Sequence, residues 1–391
     1  MALKTYLEIF LISLRLGLTS FGGPVAHLGY FQDEYVKRRK WLDDKSFADL
    51  IALCQFLPGP ASSQVGISIG MVRGGIIGGI CSWIGFTLPS VIALVIFALA
   101  INGTSIEGAS WVSGLKLVAV AVVAHAIMNM GKKLTPDLPR ITIAMITAFI
   151  LLFYQTAVSQ IALIIVAGIV GIMLFQNKEL PQGNDVGLTY KKRTGIISLS
   201  LFFILLIGIP FVASWSSSIY VTIFDTFYRV GSIVFGGGHV VLPLLEAEVV
   251  PNGFISKEMF LAGYGATQAV PGPMFTFASF IGTVMSGVSG AVVATIAMFL
   301  PSFFLLIGVL PFWDDLRKVK RVRAALLGVN AAVVGLLIAA LYDPIWTSAI
   351  TSSKDVAVGL AAFTLLYFWK VPAWLVVILT VLGNVVISLL I

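Results

Sequence analysis

The sequence predicts an all-α polytopic integral membrane protein made of two inverted-topology repeats with broken or re-entrant helices. Three observations predict this class: the composition, a repeated order of motifs, and the opposite charge of equivalent loops. The 391 residues are 58% hydrophobic and 11% charged, whereas soluble domains carry about 25% charged residues. The net charge of +7 fits bases retained on the cytoplasmic side of a membrane, so it does not indicate nucleic-acid binding.

Apolar segments recur along nearly the whole chain, and most approach the ~20 residues that cross a bilayer. They cover 76–101, 111–130, 141–175, 196–213, 291–312 and 324–341. Glu8 and Arg15 interrupt the first apolar stretch and no cleavage site follows, so we expect this stretch to stay in the mature protein. Cys54 and Cys81 have apolar neighbours and are expected to be buried, with neither a disulfide nor a metal.

The chain contains the same motifs twice in the same order. RLGLTSFGG at 15–23 recurs as RVGSIVFGG at 229–237, an offset of 214, and QFLPGP at 55–60 recurs as QAVPGP at 268–273, an offset of 213. A fixed order at a nearly constant offset indicates an internal repeat. The prediction is a first repeat at 1–180, a basic linker and connecting transmembrane helix at 181–214, and a second repeat at 215–391.

The charges of equivalent loops indicate that the repeats are inverted. The segment 37–45 carries five bases, whereas its counterpart 246–258 carries one base and three acids. Further along the bias reverses, because 102–110 has no base and 313–323 has five. Bases are retained on the cytoplasmic side, so equivalent loops face opposite sides.

The same charges constrain the number of crossings. If 37–45 and 131–140 are both cytoplasmic, only two full spans fit between them, and 76–101 and 111–130 fill those places. The segment broken at Pro-Gly-Pro therefore enters and leaves on one side, and the segment broken at Phe-Gly-Gly is expected to do the same. This gives four spans and two re-entrant hairpins per repeat, with 196–213 as a ninth span; a simple ten-helix arrangement is the alternative. Gly66, Gly70, Gly74 and Gly78 form a ladder that predicts close helix packing.

The broken segments predict an anion site. A helix that begins inside the membrane offers free N–H groups and the positive end of its dipole to an anion. Proline suits the first helical position, so helices are expected to begin near Pro60 and Pro273. The candidate substrate-binding residues at these breaks are Gln55, Pro58, Gly59, Pro60, Ser62, Ser63, Gln268, Pro271, Gly272, Pro273 and Thr276, together with Gly22, Gly23, Gly236 and Gly237.

Arg15 and Arg229 stand at equivalent places inside these apolar segments. An embedded arginine is a functional candidate, and its planar fork suits an oxyanion. The alternative is structural: each arginine pairs with an acid such as Glu8 or Asp225, or extends to the membrane interface.

Four further residues are candidates for a gate or for coupling. They are His27, His239, Glu34 and Glu248. The histidines are not equivalent, so a structural or cavity-lining role is favoured for them over proton coupling. Glu34 and Glu248 are equivalent and form either a gate or ion pair, or acids that face the interface.

Motifs for enzymatic chemistry are missing from the sequence. It contains no GxxxxGK[ST], HExxH or CxxC motif and only three histidines. We therefore expect no enzyme activity, no cofactor, no metal site and no ATP hydrolysis.

Two long stretches resemble the chromate ion transporter family. In the first repeat they read FGGPVAHLGYFQDEYVKRRKWLDD and QFLPGPASSQVGISIGMVRGGIIGGICSWIGFTLPS, and in the second FGGGHVVLPLLEAEVV and QAVPGPMFTFASFIGTVMSGVSGAVVATIAMFLPS. The chain resembles a long-chain, two-domain member, whereas short-chain members carry one half and work in pairs. Gly238 replaces Pro24 in the second repeat, so the two Phe-Gly-Gly breaks need not have identical roles.

This resemblance implies a multi-pass permease of the bacterial inner membrane that exports chromate and confers chromate resistance. Its partners are then the lipid bilayer and a small oxyanion, chromate or sulfate; a homodimer is compatible with the sequence. The alternatives are a sulfate or other oxyanion permease and an anion channel. A membrane scaffold without transport would leave the paired breaks and the embedded arginines without a purpose.

Overall fold

The computed structural model of the chain describes residues 2–20, 23–101, 109–154, 156–176, 191–235, 240–316 and 319–390. Over these residues the chain forms helices and no strands. The helices of the first repeat are α1 Ala2–Thr19, α2 Gly23–Phe31, α3 Asp44–Phe56, α4 Ala61–Ile101, α5 Ser110–Leu134, α6 Leu138–Phe153 and α7 Ala157–Phe175, with a π-helical turn at Gln32–Arg38.

The second repeat follows a single connecting helix, α8 Lys192–Trp215. Its helices are α9 Ile219–Ile233, α10 Val241–Val249, α11 Lys257–Thr267, α12 Phe277–Val309, α13 Trp313–Leu316, α14 Lys320–Ala340, α15 Thr347–Ala349, α16 Ser353–Tyr367 and α17 Ala373–Leu390. Short 3₁₀ turns occupy Met274–Thr276 and Leu310–Phe312, and a second π-helical turn occupies Leu341–Trp346.

Six of the described helical segments are long and apolar enough to cross a membrane. They are Ala61–Ile101, Ser110–Leu134, Val158–Phe175, Lys192–Trp215, Met274–Phe312 and Lys320–Ala349, and Leu138–Phe153 and Ala373–Leu389 are shorter apolar helices. The predicted class, an all-α polytopic membrane protein, is confirmed.

Two of these segments, α4 and α12, reverse direction and are helical hairpins. In α4 the helical backbone is interrupted at Gly74 and at Gly75, which has φ +64°. In α12 the interruption falls at Ser286 and at Gly287, which has φ +62°. In the first hairpin the Ser82 hydroxyl donates to the Gly66 carbonyl at 2.8 Å, so the two arms are antiparallel.

The arms of each hairpin approach closely because glycines face each other. A Cβ added at Gly70 would meet the Gly78 carbonyl, and one added at Gly282 would meet the Gly290 carbonyl. The offset between these pairs is 212, so the hairpins are equivalent. The glycine ladder therefore packs the two arms of one hairpin against each other.

The segments broken near Phe-Gly-Gly and Pro-Gly-Pro in the first repeat are re-entrant. Arg39, which follows α2, bonds Glu8 near the start of α1 at 3.2 Å, so this broken segment returns to the side from which it entered. Arg73, at the end of the first arm of α4, lies 5.4 Å from the ring centroid of Trp41, just before α3. Both re-entrant segments thus open to the same side.

Basic segments gather at one end of the bundle. The Arg140 guanidinium lies 5.9 Å from the Phe175 ring, which brings the start of α6 to the end of α7. A Cβ at Gly171 would lie 2.5 Å from the Ala324 carbonyl oxygen, which adds the start of α14. The Lys192 ammonium lies 6.0 Å from the Phe312 ring, which adds the start of α8 and the end of α12. By the retention of bases this end is cytoplasmic.

The equivalent hairpin turns point to opposite ends. α12 ends at the cytoplasmic end, so its turn at Ser286–Gly287 lies at the other end. α4 ends where α5 begins, with Phe97 and Trp111 ring centroids 6.3 Å apart, and α5 runs back to the basic segment before α6. The turn at Gly74–Gly75 therefore lies at the cytoplasmic end. The two repeats are inverted, as the loop charges predict.

The repeats exchange their outer helices. α5 of the first repeat packs against α16 and α17 of the second, and α14 of the second packs against α6 and α7 of the first. In the centre α4 packs against α12, with the Trp83 and Phe299 ring centroids 5.7 Å apart. Each repeat thus completes the core of the other, and the broken segments are enclosed by protein, as non-helical backbone at membrane depth requires.

Candidate anion site at the crossing of the broken segments

The four broken segments meet in reciprocal pairs at the centre of the molecule. The Gly59 N–H donates to the Val234 carbonyl at 2.7 Å, and the Gly272 N–H donates to the Ser20 carbonyl at 2.9 Å. Val234 directly precedes the second Phe-Gly-Gly and Ser20 the first. Each Pro-Gly-Pro turn therefore crosses the Phe-Gly-Gly break of the other repeat.

Glycine is required at both crossings. Gly59 has φ +116° and Gly272 has φ +103°, a region that favours glycine. A Cβ at Gly59 would lie 2.7 Å from the Ser302 hydroxyl oxygen, and one at Gly272 would lie 3.0 Å from that of Ser90. Sequence reasoning missed these serines, although Leu-Pro-Ser at 88–90 and 300–302 is a further repeated motif.

The first Pro-Gly-Pro turn starts a helix. α4 begins at Ala61, directly after Pro60, and the N–H groups of its first turn have no partner within the helix. The Ser62 hydroxyl lies 3.3 Å from Nδ1 of His27, and the His27 ring contacts Phe86 edge-on at 5.3 Å. This helix start is therefore lined by a buried histidine and two buried serines, Ser62 and Ser63.

Several buried polar atoms on the broken segments and on α4 have no hydrogen-bond partner. Within the described ranges these atoms include Ser20 Oγ, His27 Nε2, Ser63 Oγ, Gln64 Oε1, Trp83 Nε1, Thr87 Oγ1, Gln160 Oε1, Gln268 Nε2 and Trp313 Nε1. Buried polar groups in proteins are nearly always satisfied, so the hydroxyl, imidazole, indole and amide N–H donors in this set need an explanation. A bound acceptor, such as an oxyanion, would provide one.

The second Pro-Gly-Pro turn also starts a helix, but with different side chains. A 3₁₀ turn at Met274–Thr276 precedes α12. The Thr276 hydroxyl donates to the Pro273 carbonyl at 2.7 Å, and Phe275 and Phe277 are both buried. The backbone of the two starts is similar, whereas the donors of the second are used internally.

Arg229 is held by two carboxylates. Its guanidinium bonds Asp225 through Nε and Nη2 at 2.9–3.1 Å and Glu248 through Nη1 and Nη2 at 2.7 and 3.0 Å. The side chain of Arg229 is 28% exposed and those of the two acids are 11% and 13% exposed. This arginine is thus engaged by acids, and Asp225 is the partner that the structural alternative named.

Arg15 is paired with Glu34. The same carboxylate accepts from Arg38 at 3.3 Å and from Arg39 at 3.1 Å. Glu34 is 5% exposed, so three arginines share one buried carboxylate. Glu8, the partner suggested by the sequence for Arg15, instead contacts Arg39 and Arg73. The geometry of both arginines agrees with the structural alternative.

The remaining predicted residues are distributed unequally. Gly23 is the first residue of α2. Gln55, near the end of α3, is exposed, whereas Gln268, its equivalent, is 9% exposed with Nε2 unpartnered. Gly22, Gly236, Gly237 and His239 lie outside the described residues.

These features define a class of protein before any relative is considered. Broken helices that meet near the middle of two inverted repeats are typical of membrane transporters, whose substrate sites lie at the repeat interface. The donors around the first helix start suit an anion.

The chain belongs to the chromate transporter family, whose sequence model matches residues 7–172 and 221–385. This is a family of transporters rather than enzymes, and membership makes the chain a multi-pass membrane protein, located in bacteria in the inner membrane. The matched segments lie on either side of α8.

Three relatives match along most of their length. A chromate transport protein of Pseudomonas aeruginosa is 28% identical over 97% of this chain and 91% of its own. An uncharacterized transporter of Methanocaldococcus jannaschii is 28% identical over 85% and 83%, and a chromate transport protein of Cupriavidus metallidurans is 27% identical over 86% and 82%. No solved structure matches the chain.

Proposed function

We propose that this chain exports chromate across the bacterial inner membrane and thereby confers resistance to chromate. The observation that carries the proposal is the reciprocal crossing of the four broken segments, with unpartnered donors around it. Two relatives along nearly the whole chain are chromate transport proteins. The two repeats rock against each other, so that the crossing opens alternately to each side.

The distribution of charge supports outward transport. On the cytoplasmic side Arg15, Arg38 and Arg39 surround the single carboxylate of Glu34. In the inverted repeat one guanidinium, that of Arg229, faces two carboxylates. The net positive cluster raises the local concentration of a dianion at the cytoplasmic opening, and the net negative cluster disfavours entry of the dianion from the opposite side. The outward-positive membrane potential adds about 2.3 kcal/mol per charge per 100 mV in the same direction.

Flux in everted vesicles tests the substrate and the direction. Everted vesicles containing the protein should accumulate chromate-51 saturably under an interior-positive potential. Right-side-out vesicles that are loaded with chromate-51 should release it under an interior-negative potential, which has the same direction across the protein. Vesicles without the protein are the control. Sulfate flux without chromate flux would favour the oxyanion permease alternative, and non-saturable flux would favour a channel.

Replacement of arginines tests the roles assigned to charge. Arg38→Gln leaves the Arg15–Glu34 pair in place, so the protein should fold while KM for cytoplasmic chromate rises several-fold at low salt. The rise should disappear at high salt, because screening shortens the range of exposed charges. Arg15→Ala and Arg229→Ala remove the partners of buried carboxylates and should lower the amount of folded transporter. Normal flux in both would contradict any role for these arginines.

A further inference from the structure

We propose that the chain carries one anion site, built on the first repeat, and that the equivalent place in the second repeat serves packing instead. This inference rests on the proposed function and specifies its site. We call Ser20, His27, Ser62, Ser63 and Thr87 the first cradle. The second cradle consists of their equivalents at offsets of 214, 213 and 212, which are Val234, Val241, Phe275, Thr276 and Phe299.

The two cradles differ at every position in their capacity to donate hydrogen bonds to a ligand. The serine, histidine and threonine side chains of the first cradle correspond to valine and phenylalanine at four of five positions. At the fifth position Thr276 retains a hydroxyl, but it donates to the Pro273 carbonyl at 2.7 Å. Both repeats therefore have the broken backbone, whereas only the first repeat has the free side-chain donors.

Side chains of the first cradle are buried and poised to donate. Ser20, His27 and Ser63 are 0%, 1% and 2% exposed. The Ser20 and Ser63 hydroxyls have no partner, and the His27 ring faces the backbone carbonyl of Ser20. Because Nδ1 of His27 lies 3.3 Å from the Ser62 hydroxyl, that hydroxyl can donate to Nδ1 and leave the hydrogen on Nε2. The free N–H groups at the start of α4 add backbone donors.

Contacts connect several of these donors to the crossing of Gly272 with Ser20, and Ser63 lies beside Phe86. The Gly272 N–H donates to the Ser20 carbonyl at 2.9 Å, and a Cβ at Gly272 would lie 3.4 Å from the Phe86 carbonyl oxygen. The Phe86 ring in turn contacts His27. Gln268, which precedes the same turn in the second repeat, is buried with Nε2 unpartnered.

Aromatic packing fills the second cradle. The ring centroids of Phe275 and Phe299 are 6.1 Å apart. Phe277, the next residue after Thr276, packs against Phe260 at 5.1 Å and Tyr264 at 5.8 Å. An anion placed at this helix start would face aromatic rings and a hydroxyl that is already bonded.

The donors of the first cradle are uncharged, and both embedded arginines are held by carboxylates. The ligand that fits is a small oxyanion with several acceptor oxygens, which is bound by hydrogen bonds and helix-start N–H groups. The arginine cluster on the cytoplasmic side then attracts the anion, and the uncharged donors of the first cradle bind it.

Matched alanine variants and a binding stoichiometry test this inference. Purified protein in detergent is dialysed against chromate-51, and against sulfate-35 in parallel, and flux is measured in vesicles. We expect one anion per chain. Ser63→Ala should raise Kd and KM about tenfold or more, the effect of losing a hydrogen bond to a charged group, whereas Thr276→Ala should change them less than about twofold because its hydroxyl bonds the backbone.

Ser63→Thr, which keeps a hydroxyl, should bind within a few-fold of the wild type and separates loss of the donor from loss of the fold. Melting temperature and elution volume must match the wild type for each variant. Two anions per chain, or equal losses for Ser63→Ala and Thr276→Ala, would overturn the single-site inference even if chromate is exported. Wild-type protein that binds sulfate but not chromate would overturn the chromate assignment. The single-site inference would then be tested with sulfate on the same variants.

Discussion

The crossings of the broken segments in the two repeats have the same backbone and different side chains. Gly59 and Gly272 each donate an N–H to the residue before the opposite Phe-Gly-Gly motif, and each has a positive φ. The first cradle holds unpartnered donors, and phenylalanines occupy the second. Backbone geometry is thus shared by both repeats, whereas the chemistry belongs to one.

The ion clusters show the same division. Arg15 and Arg229 are equivalent, and so are their partners Glu34 and Glu248. Additional charges differ, because the first cluster contains further arginines and the second contains Asp225. Equivalent substitutions should therefore have equal effects where the residue maintains the fold and unequal effects where the surrounding side chains differ.

The largest effect is expected from the hairpin glycines, and it should be equal in both repeats. A Cβ at Gly78 would overlap the Gly70 carbonyl, and one at Gly290 would overlap the Gly282 carbonyl. Gly78→Ala and Gly290→Ala should each destabilise the protein by about 3 kcal/mol or more, because backbone cannot move aside as a side chain can. The fraction of monodisperse protein in detergent and its melting temperature measure this loss.

Gly208→Ala in α8 is the matched control. No atom lies within 4 Å of its Cβ position, and alanine stabilises a helix by up to about 1 kcal/mol relative to glycine. A harmless Gly290→Ala beside a damaging Gly78→Ala would show that the hairpins are not equivalent.

A smaller and unequal effect is expected at the equivalent glutamates. Glu34→Gln removes the carboxylate shared by Arg15, Arg38 and Arg39 and should destabilise the protein by about 2 kcal/mol, the range for hydrogen bonds to charged groups. Glu248→Gln leaves Arg229 bonded to Asp225 and should cost about 1 kcal/mol. Melting temperatures in one detergent at one salt concentration compare them.

Asp33→Asn provides the baseline for this pair. Asp33 bonds Lys37 at 2.7 Å with both side chains about two-thirds exposed, and such surface pairs contribute about 0.5 kcal/mol or less. If Glu248→Gln lowered the stability more than Glu34→Gln, a carboxylate shared by three arginines would not contribute more stability than one shared with a second acid.

Much of this fold could be predicted from the sequence because it depends on local or averaged properties. Hydropathy gives the spans, the motif offsets give the repeats, and loop bases give the inversion. Pro60 before a run of small residues gives the start of α4 within a residue. Each of these signals lies within one segment or is summed over many residues.

Features that depend on contacts between distant segments could not be predicted in this way. Nothing in QFLPGP indicates that Gly59 bonds Val234, because a backbone hydrogen bond has no sequence signature. The sequence allowed both a structural and an anion-binding role for Arg15, and it did not show that Glu34 is the acid that pairs with it.

The smallest expected effect concerns Gln64, which links the repeats beside the crossing of Gly59 with Val234. Its Nε2 donates to the Pro58 carbonyl at 2.7 Å and to the Ser302 hydroxyl at 3.3 Å. Ser90, the equivalent of Ser302, donates instead to the Thr87 carbonyl of its own helix at 2.9 Å. Ser302→Ala should therefore destabilise the protein by about 0.5–1 kcal/mol and Ser90→Ala by less, because only the former loses a bond between repeats.

A double-mutant cycle isolates that link. Gln64→Leu and Ser302→Ala should show a coupling energy of about 0.5 kcal/mol or more, whereas Gln64→Leu and Ser90→Ala should be additive within about 0.3 kcal/mol. Additivity in both cycles would show that the bond at 3.3 Å contributes nothing to holding the repeats together. In the proposed alternating access the repeats separate at this crossing. Coupling confined to Ser302 would therefore also predict that Ser302→Ala changes the turnover of transport while Ser90→Ala does not.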